Sequence, residues 1–248
     1  MAIRHISHSV KEVMINLGID TKEDGFTEIP SYVYPMRPLS GIPIYMRDDE
    51  VYPEFWGAAA HDDVVIQTKL NGERALYDAE KDELWNRHGS EFKGGARLVE
   101  LAWESCQRIR DDYGYRWFDL ELMGGKTKRW KYTAMLIDLP NLSRLPLSER
   151  LLRMLELVIP QLDVMAPRHC LPVNHDGLFL PDSVLGGAHN QPKLGARLNA
   201  MQHENARAED IEYEGVVIKR LSSKYMIQNI SSSADSPDWV KHRFSRNI

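Results

Sequence analysis

The stretch VVIQTKLNGERALYDAEKDELWNRHG, Val64 to Gly89, decides how the chain is read. Its apolar run and the alternation that follows predict two or three short strands. Asn71-Gly72 and the region of Lys81-Asp82 predict the turns that join them. Lys69 closes the first strand and is followed at once by a turn and by Arg74. A lysine at a strand end is ordinarily a solvated surface residue. The exception is a lysine held in a pocket as a nucleophile, and Lys69–Arg74 alone do not separate the two.

Working outward, SVKEVMINLGI (9–19) has helical spacing, with Gly18 near its end. YVYPMRPLSGIPIYM (32–46) predicts a packed, irregular lead-in. A helix is expected over 94–112. RWFDLELM (116–123) and YTAMLIDLP (132–140) read as strands joined by GGKTKRWK, an exposed hairpin connection. LSERLLRMLELVI (147–159) is an amphipathic helix with Pro146 at its entrance, and 193–210 is a further helix. YEGVVIKRL (213–221) reads as a short buried strand, Ser222–Asp238 as a mobile serine-rich loop, and WVKHRF (239–244) as a last strand. Strands and helices do not alternate strictly, which favours a single α+β domain over 1–248 with largely antiparallel sheets flanked by helices.

The 248 residues are 43% hydrophobic, enough for a sizeable core. The formal charge of −5 argues against nonspecific coating of nucleic acid. It leaves room for a nucleic-acid enzyme, because a local basic groove supplies phosphate contacts. Cys106 and Cys170 form no ligand spacing, and His5 and His8 do not group with other ligands, so neither a disulfide framework nor a zinc site is expected. The N-terminus has no apolar signal core, and no run approaches the ~18 residues of a membrane span. The expectation is a cytoplasmic monomer without a membrane segment.

Several segments place charged residues where one cleft could collect them. Asp119 and Glu121 are two apart in FDLELM and share a strand face, as do Lys241 and Arg243 in WVKHR. Glu214 and Lys219 bound EGVVIK at a spacing of five, which puts them on opposite faces of a regular strand. A strand end, twist or bulge has to bring both to one pocket.

In this order the segments resemble the covalent nucleotidyltransferase superfamily of ATP-dependent polynucleotide ligases and messenger-RNA capping enzymes. Lys69-x-Asn71-Gly72-x-Arg74 resembles the nucleophile motif, WNRHG the next with Arg87, and FDLELM the third with Glu121. LIDLP resembles the strand that carries an aromatic against adenine, with Ile137 in that place. EGVVIK resembles the fourth motif, closer to ligases than to capping enzymes, and WVKHR the fifth. PLSERLLRMLEL and SSKY resemble ligase segments between them. The likeness runs from about Met36 to Arg243. It departs from the pattern at Asn71 (usually aspartate), at Ile137 (commonly aromatic) and at Arg243 (commonly lysine).

The resemblance implies an ATP- and Mg²⁺-dependent ligase acting on nicked or broken DNA or RNA, as in nucleic-acid repair. Lys69 attacks the α-phosphate, AMP passes to a 5′-phosphate, and a 3′-hydroxyl displaces it. It implies catalytic roles for Lys69, Lys219 and Lys241; the charges of Lys219 and Lys241, with Mg²⁺, neutralise the triphosphate and favour a neutral attacking amine on Lys69. Gln67, Thr68, Arg74, Arg87, Glu121, Ile137 and Arg243 join them around the nucleotide. Gln67 would accept from the adenine amino group, and Glu121 and Glu214 are the expected metal residues. Basic residues around Trp130 read either as a nucleic-acid contact with a stacked base or as a solvated hairpin. Five residues follow Arg243, which is too few for the oligonucleotide-binding barrel of DNA-sealing relatives, so none is expected. A capping-type guanylyltransferase and an inactive nucleic-acid-binding relative are the alternatives. Asn71 and Ile137 motivate the second.

Overall fold

The computed structural model describes residues 35–48, 50–92, 100–124, 126–127, 130, 133–158, 169–173, 177–227 and 235–245. The helix expected over 9–19 lies outside them. Thirteen strands are described: β1 Arg37–Ser40, β2 Met46–Arg47, β3 Glu50–Val51, β4 Val64–Leu70, β5 Glu73–Asp78, β6 Glu83–Asn86, β7 Trp117–Leu122, β8 Ala134–Asp138, β9 Cys170–Pro172, β10 Leu178–Pro181, β11 Ser183–Leu185, β12 Tyr213–Arg220 and β13 Asp235–Arg243. The helices are α1 Pro53–Ala59, α2 Glu100–Tyr113, α3 Leu147–Glu156 and α4 Gln191–Arg207. Two large sheets result, ordered β1-β13-β12-β4-β11 and β6-β5-β7-β8-β10-β9, and β2 pairs with β3 alone. All pairings are antiparallel except β1 with β13 and β8 with β10. The expected α+β class with largely antiparallel sheets is what the chain adopts.

Each helix is an amphipathic cover. α3 turns Leu147, Leu151 and Met154 inward, and α4 turns Leu194, Leu198 and Met201 inward, both at i, i+4, i+7 spacing. Burying such a side chain contributes roughly 1.5–3 kcal/mol. α3 joins the core of the six-stranded sheet and α4 that of the five-stranded one. A third apolar cluster of Met36, Leu76, Trp117, Tyr225 and Trp239 lies between the two sheets. Among the described residues no helix is long and apolar enough to cross a membrane.

The turn expected at Asn71-Gly72 joins β4 of one sheet to β5 of the other, so it carries the chain across the cleft. Three expectations need correction. The lead-in contains a true strand, β1, paired in parallel with β13 at the sheet edge, where Pro38 is tolerated. The GGKTKRWK connection is not a solvated loop at Trp130. That ring is 4% exposed and its Nε1 donates to Glu212 Oε2 at 3.1 Å, so it cannot stack a base. The serine-rich segment is shorter than expected, because Tyr225 is buried and β13 already begins at Asp235.

Candidate active site

Cross-strand pairing explains which side chains meet. Lys69 lies opposite Gly215, Gln67 opposite Val217, Lys219 opposite Trp239 and Val217 opposite Lys241. Directly paired residues point to the same face. One face of the five-stranded sheet therefore presents Gln67, Lys69, Val217, Lys219, Trp239, Lys241 and Arg243 toward the cleft.

Glu214 joins this set through a bulge. Tyr213 pairs with Leu70 and Gly215 with Lys69, which leaves Glu214 as the extra residue. The bulge cancels the parity of the five-residue spacing to Lys219. Gly215 makes it possible: its φ is +140°, and a Cβ there would meet His242 O at 2.1 Å. Glu214 Oε2 then lies 2.7 Å from Lys69 Nζ and 3.0 Å from Arg243 Nε. Burial works to raise the Glu214 carboxyl, but Lys69 and then Arg243 hold it below its ordinary range.

The opposing wall comes from β5, β7 and β8. Arg74 pairs with Glu121 across β5 and β7. A register shift at Asp119/Leu120 leaves Ile137 as the unpaired residue of β8. Glu121 Oε1 accepts the Gly72 N–H at 3.1 Å. Burial pushes the Glu121 carboxyl up, and Lys69 and Arg74 only partly offset it. Gly72 is required by proximity, since a Cβ would lie 2.6 Å from Leu122 O.

Two adjoining spaces result. The larger, about 660 Å³, is lined by Lys69, Arg74, Arg87, Glu121, Glu214, Lys241 and Arg243, with Arg37, Pro38, His88, Phe92 and Lys126 among the others. Seven of its lining side chains are Lys or Arg and three are Glu, an excess of positive charge in a chain of formal charge −5. The smaller, about 60 Å³, is a slot lined by Gln67, Thr68, Ile137, Val217, Lys219 and Trp239. Pro38, Lys69, Arg74 and Glu121 line both. The residues expected to be catalytic, to hold the nucleotide or to hold the metal thus each border one of the two, and Lys69 stands where they meet.

Several details depart from the expected roles. Arg74 turns its fork onto both oxygens of Asp119, with a further bond to Met36 O at 3.2 Å. Burial opposes that charge, yet Asp119 holds the guanidinium above its ordinary value. Arg87 is exposed at the rim, bonded through Nε to His88 Nε2 at 3.1 Å. Gln67 donates through Nε2 to Ser183 Oγ at 3.1 Å. Asn71 acts here through its amide. Its Nδ2 donates to Ile211 O at 2.9 Å, which a carboxylate cannot do. The same turn is held by Asn71 N donating to Glu212 O and by Thr127 Oγ1 donating to Asn71 O, each at 2.9 Å.

The sequence reading missed the support beneath the site. Tyr225 Oη donates to Asp119 Oδ2 at 2.8 Å and accepts from Met36 N at 3.2 Å. Arg150 and Asp138 form a fully buried pair, and Arg150 also donates to Leu145 O and Ser223 O. One signal was present: an arginine on the apolar face of α3.

Lys219 is 2% exposed and stands 3.8 Å from the centroid of the Trp239 ring, with Nζ donating to Ile137 O at 3.4 Å. Burial brings its ammonium down to about 7, with Asp138 the largest opposing influence. Lys241 donates to Pro38 O at 3.1 Å and is lowered by burial, then by Arg243, with Lys69 contributing less. Among the described residues no three His, Cys, Asp or Glu side chains group as a metal cage. Glu121 and Glu214 face one cavity as a pair, which suits Mg²⁺, an ion commonly held by one or two carboxylates plus phosphate oxygens.

No protein-family model matches the sequence, and no curated protein matches it. Among solved structures the chain is similar to the ligase domain of LigD from M. tuberculosis. The identity is 16% and the TM-score 0.51, over 85% of this chain and 59% of that one. It is also similar to Pmar-Lig_Pre, at 16% identity and a TM-score of 0.53, over 85% of this chain and 46% of that one. Mycobacterial DNA ligase D complexed with ATP and MES aligns at 16% identity and a TM-score of 0.48, over 85% of this chain and 60% of that one. This chain spans less than two thirds of the length of each. The first two likenesses show the fold, a ligase nucleotidyltransferase-type α+β domain.

Proposed function

We propose that the protein is an ATP-dependent polynucleotide ligase that works through a covalent lysyl-AMP. One observation carries this: Lys69 stands at the junction of a narrow, largely apolar slot and a cation-rich cavity. The slot suits a base, with Gln67 at hand to read its edge and Ile137 and Val217 as apolar walls. It must widen to admit one. The cavity suits phosphates and the nucleic-acid end.

In the first step Lys69 Nζ attacks the α-phosphorus, the N–P bond forms and pyrophosphate leaves. In the second, a 5′-phosphate oxygen displaces Lys69 and takes AMP. In the third, a 3′-hydroxyl attacks that phosphate, AMP departs and the backbone is closed. Lys219, Lys241 and Arg243 stabilise phosphate charge through these displacements. Mg²⁺ would be held by Glu121 and Glu214 and would supply further neutralisation of phosphate charge. Glu214 meanwhile keeps Lys69 oriented.

The test uses ATP or GTP carrying a radioactive α-phosphate. Wild type should acquire a covalent label from ATP that is stable in alkali and lost in acid, with much less from GTP, and should lose it to a nicked duplex with a 5′-phosphate. Duplexes with DNA or RNA on either side of the nick then identify the substrate. Absence of label from ATP, or label on Lys69→Ala, overturns the assignment.

A further inference from the structure

Lys219 is buried, and among the described residues no carboxylate lies within ion-pair distance of it. Its Nζ donates to the Ile137 carbonyl at 3.4 Å. What covers it is the Trp239 ring, 3.8 Å from Nζ to centroid, itself 1% exposed. That ring is fixed in place. Its Nε1 donates to Ser223 Oγ at 3.2 Å, and Tyr225 packs edge-on at 6.1 Å. Trp239 also lines the slot, and it is paired with Lys219 across β12 and β13.

We propose that Trp239 is a positioning residue whose ring face acts as the counter-charge for Lys219, keeping a cation at the wall of the slot without an anion beside it. A carboxylate there would compete with an incoming phosphate and repel it. The negative face of an indole favours the ammonium by its quadrupole and does neither. Resting on the adenylation chemistry above, this leaves Lys219 free to meet nucleotide phosphate in exchange for a weak carbonyl contact.

Other charges act on Lys219 from neighbouring elements. Asp138 on β8 and Asp119 on β7 favour its protonated form, while Arg74 on β5 and Arg150 on α3 oppose it. Asp119 and Asp138 are already committed to Arg74 and Arg150. Among the described residues the ring therefore joins the Ile137 carbonyl as a favourable partner not shared with another cation.

The platform is tested in the unliganded protein, so that its fate is separate from that of the ligase assignment. Lysine side chains carrying ¹³C at Cε are titrated by NMR, and the Lys219 signal is identified by its loss in Lys219→Met. In wild type this signal should titrate far below the other lysines. Trp239→Leu should lower the midpoint by on the order of one pH unit, with Trp239→Phe between the two. Ser223→Ala keeps the ring and should leave the midpoint near wild type. If Trp239→Leu does not fold, wild type against Trp239→Phe decides. An unmoved midpoint overturns the proposal. So does a raised one, which would mean that Trp239 acts only by excluding water.

A second readout is the pH profile of single-turnover adenylation with ATP, where the alkaline limb should shift with the same rank order. If wild type shows no adenylation but the NMR midpoints shift as expected, the ligase assignment fails and the platform stands. If wild type adenylates and neither the limb nor the midpoint moves in Trp239→Phe, the platform fails and the assignment stands.

Discussion

Lys69 and Glu214 are joined at 2.7 Å across β4 and β12, and the pair exists because Glu214 is an inserted residue in its strand. Lys69→Ala should abolish covalent labelling by ATP while still allowing a strand that already carries AMP to be sealed. Glu214→Gln should retain labelling at a reduced rate and need more Mg²⁺ to reach half its maximum. A titration of adenylation rate against Mg²⁺, wild type beside Glu214→Gln, reads this. An unchanged midpoint removes Glu214 from the metal site.

Asn71→Asp installs the residue common in the resembling motif, and here it should be harmful. The Asn71 amide donates to Ile211 O. A carboxylate in its place loses that bond and faces a carbonyl. The expected cost is about 0.5–1.5 kcal/mol of stability, seen as a lower urea midpoint, with single-turnover adenylation slowed several-fold. A gain in rate would show that the turn geometry does not depend on this donor.

Gln67→Leu should reduce the preference for ATP over GTP. A lost buried hydrogen bond costs on the order of 1–3 kcal/mol, so the ratio of labelling efficiencies should narrow by roughly fivefold or more. The apolar fit of the slot is preserved by leucine, so total binding should fall less than selectivity. Equal ratios in the two proteins would move base recognition to backbone groups.

Lys219→Met should change how stability depends on pH. The ammonium is brought down to about 7 from 10.5, so the folded state binds its proton more weakly than the unfolded chain. Stability linked to this group therefore rises with pH between about 7 and 10.5 and is flat below and above that window. At pH 6 to 7 the methionine variant should be the more stable by on the order of a few kcal/mol, at 1.36 kcal/mol per unit. The advantage should shrink steadily toward pH 10. Parallel curves from denaturant unfolding would mean that Lys219 is not displaced from its ordinary value.

Gly215→Ala should be among the most damaging single-methyl changes in the chain. It forces a Cβ to 2.1 Å from a backbone oxygen at a φ of +140°. Either effect alone costs a few kcal/mol. Loss of soluble, cooperatively folding protein is expected, and a normal unfolding midpoint would show that the bulge can relax.

Much of this site was legible in the sequence because its charges recur at strand spacings. Asp119 with Glu121 and Lys241 with Arg243 each needed only period-2 alternation. Glu214 with Lys219 needed a bulge, and the spacing of five identified the need without locating it; Gly215 was the local clue. Trp130 was not legible in this way. Its burial depends on a hydrogen bond to Glu212, 82 residues away. Asn71-Gly72 looks the same in sequence whether a turn pairs its flanking strands or passes between sheets. The Arg150–Asp138 and Tyr225–Asp119 contacts likewise join segments that no local pattern links.

The passage at Asn71-Gly72 has a mechanical consequence. A second passage between the sheets, at Asp182, lies beside it, and its carbonyl accepts the Thr68 N–H at 3.2 Å. Two covalent links between the sheets thus stand beside Lys69. Any strain that parts the two walls of the cleft is carried there by backbone, before it reaches the Lys69 side chain.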